Sequence, residues 1–350
     1  QSLWTAALAA GTGPDVFVYA AEYAGWSATL DIFEDLSSEA YSLNTLRPLL
    51  SEAEWVETLS FDRSKRVHLP IYTYPAMLFY RADILEQNGY PSEPEDLAAY
   101  LENPTQWLDM VREMKRRDLI VMEWKESPWN VGGMVRAPFS QNLEWHMADP
   151  SFPEVLQATA TASHENLPGY INIWDEVGRS AIRSDKLIMF VIGAWGVDLL
   201  PGWIPEQAGK WRATRLPMGL SVEWGTRWMS MNLTSKNKEI AWDLMESTIT
   251  SVRKNYTTLR NMKYPYFGGQ QVLDLSDQMR MEMEPVLRTP IDTQVSDLFW
   301  SQQYLMYEGK MLAQDFINHF NDEIETTFEF ELSMLREARN GTGQTSFPAE

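Results

Sequence analysis

Along this chain, short apolar runs of strand length alternate with segments whose apolar residues recur at helical spacing, and no linker long enough to isolate a domain interrupts them. That alternation predicts sheets covered by helices, an α/β architecture. Val16 to Tyr19 reads as a strand, and "SEAEWVETL" opens a helix on a Ser51-x-x-Glu54 capping box. Val67 to Tyr72 and Ala76 to Tyr80 are extended segments split by "TYP", where Pro75 favours a crossing over a tight hairpin. "TQWLDMVREMKRRD" predicts a helix and Leu119 to Met122 a strand; "DKLIMFVIGAW" is a strand ending in a Gly-Ala-Trp turn, and "KWRATRLPMG" a strand closed by Pro217. "SMNLTSKNKEIAWDLMESTIT" gives a strand, a polar turn and a helix with Ile240, Leu244 and Ile249 inward. From Met311 on, Leu312, Phe316, Phe320, Ile324 and Phe328 recur every four positions, the packing stripe of one long C-terminal helix.

The 350 residues suffice for two domains of roughly 100–200 residues each. The longest apolar run, "KLIMFVIGAWGVDLL", falls short of the roughly 20 residues of a membrane span and reads as a buried strand and turn. Forty-nine acidic against 29 basic residues give a formal charge of −20, which repels nucleic acid and anionic membrane surfaces. With no cysteine, the chain has no disulfide framework, thiolate metal site or cysteine nucleophile.

A search for catalytic motifs is mostly negative. His68, His146, His164 and His319 are scattered, with no i, i+4 pair for a zinc helix. "GTGPD" precedes a strand rather than following one and reads as a helix C-cap and turn, not a phosphate loop. No GxSxG elbow is present. The carboxylate pairs in "DEIE" and "EMEP" are expected at this acid content, and a glycosidase needs two carboxylates held across one bond. No cofactor and no metal is predicted. What stands out is a load of 15 Trp and 14 Tyr, many placed after strands or in loops: Tyr19 to Tyr23, Tyr72 and Tyr74, Trp124 and Trp129, and Trp195. Ligands of open α/β sheets bind beyond the strand carboxyl ends, so the pattern points to binding.

Five stretches, "LAAGTGPDVFVY", "LPIYTYPAMLFYRADILEQNGYPSEPEDL", "DKLIMFVIGAW", "ATRLPMG" and "LTSKNKEIAWDLM", occur from Leu8 to Met245 in the order of a known family. In them the chain resembles the extracellular solute-binding proteins of bacterial ABC importers, in the carbohydrate-binding group that includes maltose-binding proteins. It departs from them in reading "FYRAD" where the family often has "YYNKD", and Gly193-Ala194-Trp195 where it has "GSW" or "GPW". The resemblance implies a periplasmic-binding-protein type II-like α/β fold, two lobes joined by short hinge strands with the ligand cleft between them. It places residues 1–74 plus 218–262 in lobe 1 and 75–217 plus 263–350 in lobe 2, with crossings at Leu69 to Tyr80 and Leu216 to Met218.

It further implies a non-enzymatic receptor that binds an oligosaccharide by hinge closure and delivers it to the membrane subunits of an ABC importer. Such a receptor works as a monomer outside the cytoplasm, in the periplasm or as a cell-surface lipoprotein. Residue by residue, Trp195 matches the strand-end aromatic, Trp129 a loop aromatic, Trp300 a C-terminal stacking position, and Tyr19 and Glu22 the first lobe's aromatic and hydroxyl-binding acid. Tyr23, Tyr72 and Trp224 complete the ligand-binding set. Packing is the competing reading for Trp300 and Trp224, and Trp26 and Trp174 are assigned to packing outright. Two other functions stay open: a receptor of the same fold for a polyamine or other cation, which the −20 charge would suit, and a glycoside-active enzyme. In the family a strand and a helix precede "LAAGTGPDVFVY", so lobe 1 is expected to lack its first βα unit here.

Overall fold

The computed structural model describes residues 13–127, 137–145 and 152–340, with the side chain of Glu22 outside the description. Six strands are named: β1 (Val16–Ala20), β2 (Leu69–Tyr72), β3 (Ala76–Arg81), β4 (Met189–Gly193), β5 (Trp211–Thr214) and β6 (Arg227–Met231). They form two three-stranded sheets, ordered β1-β6-β2 and β4-β3-β5. All four pairings are antiparallel, with Val16 opposite Met231 and Ala76 opposite Gly193. Strand–helix alternation by itself suggests parallel pairing. It is overridden because each central strand, β6 and β3, arrives from the other sheet and so runs against its neighbours.

Two strand-to-strand connections pass between the sheets, at residues 73–75 and 215–226. The two crossings lie side by side, Ala76 N donating to Val222 O at 2.8 Å and Trp224 N to Tyr74 O at 2.6 Å. They are the short hinge joining the lobes.

Residues of the first sheet, Leu69, Met229 and Met231, pack with Ala241, Trp242, Met245 and Ile249 of the helix Lys238–Leu259. Ile240 and Leu244, expected inward, are exposed. The buried stripe runs through Ala241, Met245 and Ile249, the last of these as expected. In the second sheet β3 is buried along its whole length, which its unbroken apolar run anticipates. One face packs in a core with Phe190 and Trp211, the other under the helices Pro104–Arg116, Phe152–His164 and Ala313–Thr327. The C-terminal stripe keeps Phe316, Phe320 and Ile324 buried but belongs to two helices. The backbone breaks at Phe328 (φ −112°, ψ 26°) and Glu329–Arg339 follows as a second helix, while Leu312 precedes the first and is exposed.

The segment expected as a strand at Leu119 to Met122 makes one parallel bridge, Ile120 to Leu187. The next residue, Glu123, is buried and accepts from Val191 N of edge strand β4 at 2.9 Å, closing an edge that would otherwise present an unpaired donor. Burial pushes the Glu123 carboxyl up to about 7, and that of Asp292 likewise to about 7. Between the ordinary carboxylate value and pH 7 the folded protein therefore holds protons that the unfolded chain has released, and stability falls as pH rises through that window. We expect the urea midpoint to decline from pH 5 to pH 7.5, and Glu123→Gln to remove up to about 1.4 kcal/mol per pH unit from that slope. An unchanged slope in the variant would show that Glu123 does not titrate there.

Candidate functional site

The capping box read from the sequence forms as expected. Ser51 Oγ accepts from Glu54 N at 3.2 Å and Glu54 Oε2 accepts from Ser51 N at 2.8 Å, starting the helix Glu52–Val56. Glu54 does more than cap. Its carboxylate accepts from Arg253 at 3.0 and 3.1 Å and from Arg280 at 2.6 Å, all three side chains being buried. The paired guanidinium groups hold its carboxyl below the usual carboxylate value against the upward push of burial. Arg280 is also held by Asp277 at 2.7 Å.

Beside this cluster lies a cavity of about 870 Å³. Ser51, Glu54 and Glu57 line it from the first sheet's side, and Trp145, Phe152 and Val155 from the helical layer of the second. The crossing at Met218–Glu223 and the segment from Arg280 to Arg288 complete the wall. In the crossing, Met218 (φ 59°) and Gly219 (φ 67°) adopt the left-handed conformation in succession. For a methionine that conformation is strained, and such strain is held in place at functional sites and hinges. Glu223 and Arg288 form a buried ion pair, and Arg288 Nε has no hydrogen-bond partner among the described residues. Burial, with the neighbouring Glu223 charge adding to it, pushes the Glu57 carboxyl up to about 8 even though it accepts from Val286 N at 3.0 Å.

Two features flank the cavity. Gly25 abuts the segment after Arg288 so closely that a Cβ would meet Thr289 O at 2.3 Å, which only glycine allows. His68 is buried, its ring nitrogen 3.2 Å from Tyr19 Oη, and burial lowers its pKa to about 4, so it is neutral at physiological pH.

Among the described residues, none of the ligand-binding residues expected from sequence lines this cavity. Trp195 and Trp224 do come together, at an aromatic shelf. Trp195 Nε1 donates to Trp224 O at 3.3 Å, and their rings meet edge-on at 5.9 Å. Trp174 joins at 5.6 Å from Trp195 and 5.6 Å from Trp203; it is 46% exposed rather than packed in the core. The Trp195 ring folds back over Gly193, where a Cβ would strike its Nε1 at 2.2 Å, so that glycine makes room for the ring. Tyr72 is buried, 4.0 Å from the Tyr256 ring and beneath the guanidinium groups of Arg253 and Arg280.

Tyr19 is also buried, its hydroxyl 2.7 Å from Ser230 Oγ. Tyr23 stands exposed at the end of the turn Ala21–Tyr23. Trp300, on the helix Asp292–Gln302, is exposed, with its ring edge-on to Phe299 at 5.7 Å. Trp129 and the side chain of Glu22 lie outside the described residues.

The cavity residues that sequence reasoning missed include Trp145, Arg280 and Arg288. A signal was present all the same: "EMEP" supplies Glu282 and Glu284, and "DEIE" supplies Glu325, to this one wall. Among the described residues no three His, Cys, Asp or Glu side chains gather as a metal site, and no helix is long and apolar enough to cross a membrane.

Comparison with known proteins places this architecture. The solved structure described as extracellular solute-binding protein family 1 superposes with a TM-score of 0.73 at 16% identity, over 92% of this chain and 88% of that one. The sugar-binding protein MalE from Xanthomonas citri gives 0.72 at 14% identity, over 97% and 89%. The galacto-N-biose/lacto-N-biose I-binding protein of an ABC transporter from Bifidobacterium longum gives 0.71 at 14% identity, over 95% and 86%. The fold is thus the two-lobed periplasmic-binding-protein type. No curated protein sequence matches. Residues 2–276 match the family model described as bacterial extracellular solute-binding protein, so the chain belongs to the bacterial extracellular solute-binding protein family.

Proposed function

We propose that the protein is an extracytoplasmic receptor that binds a carbohydrate in the cavity beside the hinge and passes it to an ABC importer without chemical turnover. The observation that carries this reading is the cavity itself. At about 870 Å³ it lies within the roughly 300–1,000 Å³ of small-ligand sites, and it draws its walls from the helix that Ser51 caps, from the layer that covers the second sheet and from the crossings between the sheets. Carboxylates and guanidinium groups at its wall suit the hydroxyls of a sugar, since charge-assisted hydrogen bonds are the stronger kind. Trp145 and Phe152 supply apolar surface for the ring carbons.

The similarity to MalE and to the galacto-N-biose/lacto-N-biose I-binding protein supports the sugar class and the transporter partner. We divide the lobes as 1–74 plus 218–262 and 75–217 plus 263–350, which puts Glu54 and Arg280 on different lobes. A ligand touching both sides shifts the hinge only by its differential affinity for the two arrangements. Intrinsic tryptophan fluorescence and melting temperature, read across neutral mono- and oligosaccharides, should respond saturably to at least one sugar, with no product formed on incubation. Hydrolysis products would overturn the receptor reading, and a flat response to every saccharide would overturn the ligand class.

A further inference from the structure

Glu57 stands where the two parts of the molecule meet. It ends the helix Glu52–Val56 on the first sheet's side, and its carboxyl reaches across to accept from Val286 N at 3.0 Å. Val286 lies between the helices Val272–Glu282 and Asp292–Gln302, whose buried residues belong to the two cores flanking the second sheet. On the same stretch Thr289 packs against Gly25 of the first sheet's side. Glu57 therefore bridges two segments that a hinge movement would separate. It lines the large cavity and also a second pocket, of about 40 Å³, that it shares with His68, Arg63, Arg288 and Arg339.

The charge balance at this junction turns on one proton. Three carboxyls act on the buried Arg288, those of Glu223, Glu57 and Asp292, and Glu223 holds it in an ion pair. Asp292 accepts from Thr289 N at 3.0 Å and from Thr289 Oγ1 at 2.5 Å, within its own segment, so its surroundings do not depend on Glu57. The other charged groups facing Glu57 are engaged elsewhere. Glu54, one turn earlier, is tied to Arg253 and Arg280, and His68, hydrogen-bonded to the Glu57 backbone, is neutral. Arg63 and Arg339 both donate to Gln141 Oε1, and Glu284 and Glu144 are exposed to water. One guanidinium cannot neutralise a second carboxylate in a low-dielectric junction, so Glu57 keeps its proton up to about pH 8 while enclosed.

Parting the lobes breaks the bond to Val286, admits water and returns the carboxyl to its ordinary value. The enclosed arrangement thus binds one proton more than the parted one. Its preference is fully present below the ordinary carboxylate value and is lost as pH rises towards about 8, by up to about tenfold per pH unit.

We propose that Glu57 is a proton switch for the hinge: protonated, it holds the two lobes in this arrangement around the cavity, and its ionisation favours their parting and the release of solute. The release rests on the cavity being the solute site; the lobe movement does not.

Small-angle scattering of the solute-free protein from about pH 5.5 to 8.5 reads the movement directly, and the radius of gyration should rise across that range. Glu57→Gln keeps an acceptor for Val286 N and cannot ionise, so its radius should hold the low-pH value throughout. Glu223→Gln frees Arg288 to hold the Glu57 carboxylate, which should move the midpoint down by at least about one pH unit. Either variant decides if the other does not fold. A pH-independent radius in the parent overturns the switch, as does a rise that persists in Glu57→Gln or a midpoint unmoved in Glu223→Gln. Affinity for a saccharide that binds should fall at least about tenfold over the same range, and less than about threefold in Glu57→Gln. A pH-dependent radius with no saccharide bound at any pH leaves the switch standing and overturns the sugar reading. Saccharide binding with affinity and radius both independent of pH leaves the sugar reading standing and overturns the switch.

Discussion

Glu54→Ala should lower stability by about 3–5 kcal/mol, the largest loss expected of any single substitution considered for this chain. The carboxylate is the common acceptor for Arg253 and Arg280, at 2.6 to 3.1 Å, and all three are almost fully buried. Without it, the Arg253 guanidinium stays in a low-dielectric interior with its charge uncompensated, and Arg280 loses one of its two carboxylate partners. Arg253 retains the carbonyls of Leu49 and Pro70, and Arg280 retains Asp277 and a weak contact to the Met281 sulfur. For Arg253 a neutral carbonyl makes a weaker partner than a carboxylate. The capping box is lost with the same change, which adds about 1 kcal/mol. The urea midpoint measures the sum, and a loss below about 1 kcal/mol would mean that water reaches the arginines and solvates them. On the lobe division we propose, Glu54 and Arg280 belong to opposite lobes, so the variant should also alter how the two lobes sit together. Small-angle scattering on the folded variant reports that separately from stability.

Ser221→Trp should weaken solute binding by at least about 100-fold, some 2.7 kcal/mol, while the protein remains folded. Ser221 is an exposed residue on the crossing and lines the cavity, so an indole there occupies ligand volume without displacing core atoms. Trp195→Ala is the informative contrast. Its ring lies in the aromatic shelf with Trp174, Trp203 and Trp224, away from the cavity wall. Affinity in that variant should stay within about threefold of the parent, far short of the effect of truncating a buried aromatic anchor. If instead Trp195→Ala destroys binding and Ser221→Trp does not, the solute sits on the shelf, as the strand-end position of Trp195 suggests from sequence.

The contrast between cavity and shelf shows how unevenly sequence reveals this molecule. Local elements were legible because their causes are local. The Ser51/Glu54 capping box, the unbroken apolar run of β3 and the strand ending at Gly193 each follow from residues within a few positions of one another. The family resemblance was legible because it lies in the order of such stretches. Even here the inward face of the helix Lys238–Leu259 was legible only at Ile249, and the break at Phe328 went unseen. Apolar spacing records that a face is buried, but where the helix starts and stops also depends on what it meets in three dimensions.

The binding residues illustrate the other side. Aromatic residues after strands drew attention because rings are conspicuous in a sequence, yet Tyr19 and Tyr72 are interior residues with their polar ends turned to Ser230 and His68 or packed under arginines. The carboxylates of "EMEP" and "DEIE" looked like the ordinary yield of an acidic chain, and Glu282, Glu284 and Glu325 among them line one cavity.

What the sequence determined by itself is the α/β class, the passage of the chain between two sheets, the absence of cysteine chemistry and the membership of a solute-receptor family. What only the tertiary structure decided is the antiparallel pairing in both sheets, the pairing of Glu54 with arginines 199 and 226 residues away, and which acids come together at one cavity. The physical reason is one of range. Propensity, capping and hydrophobic period act over a few residues, whereas the charge balance of a cavity sums groups whose nearness exists only once the chain has crossed between its lobes.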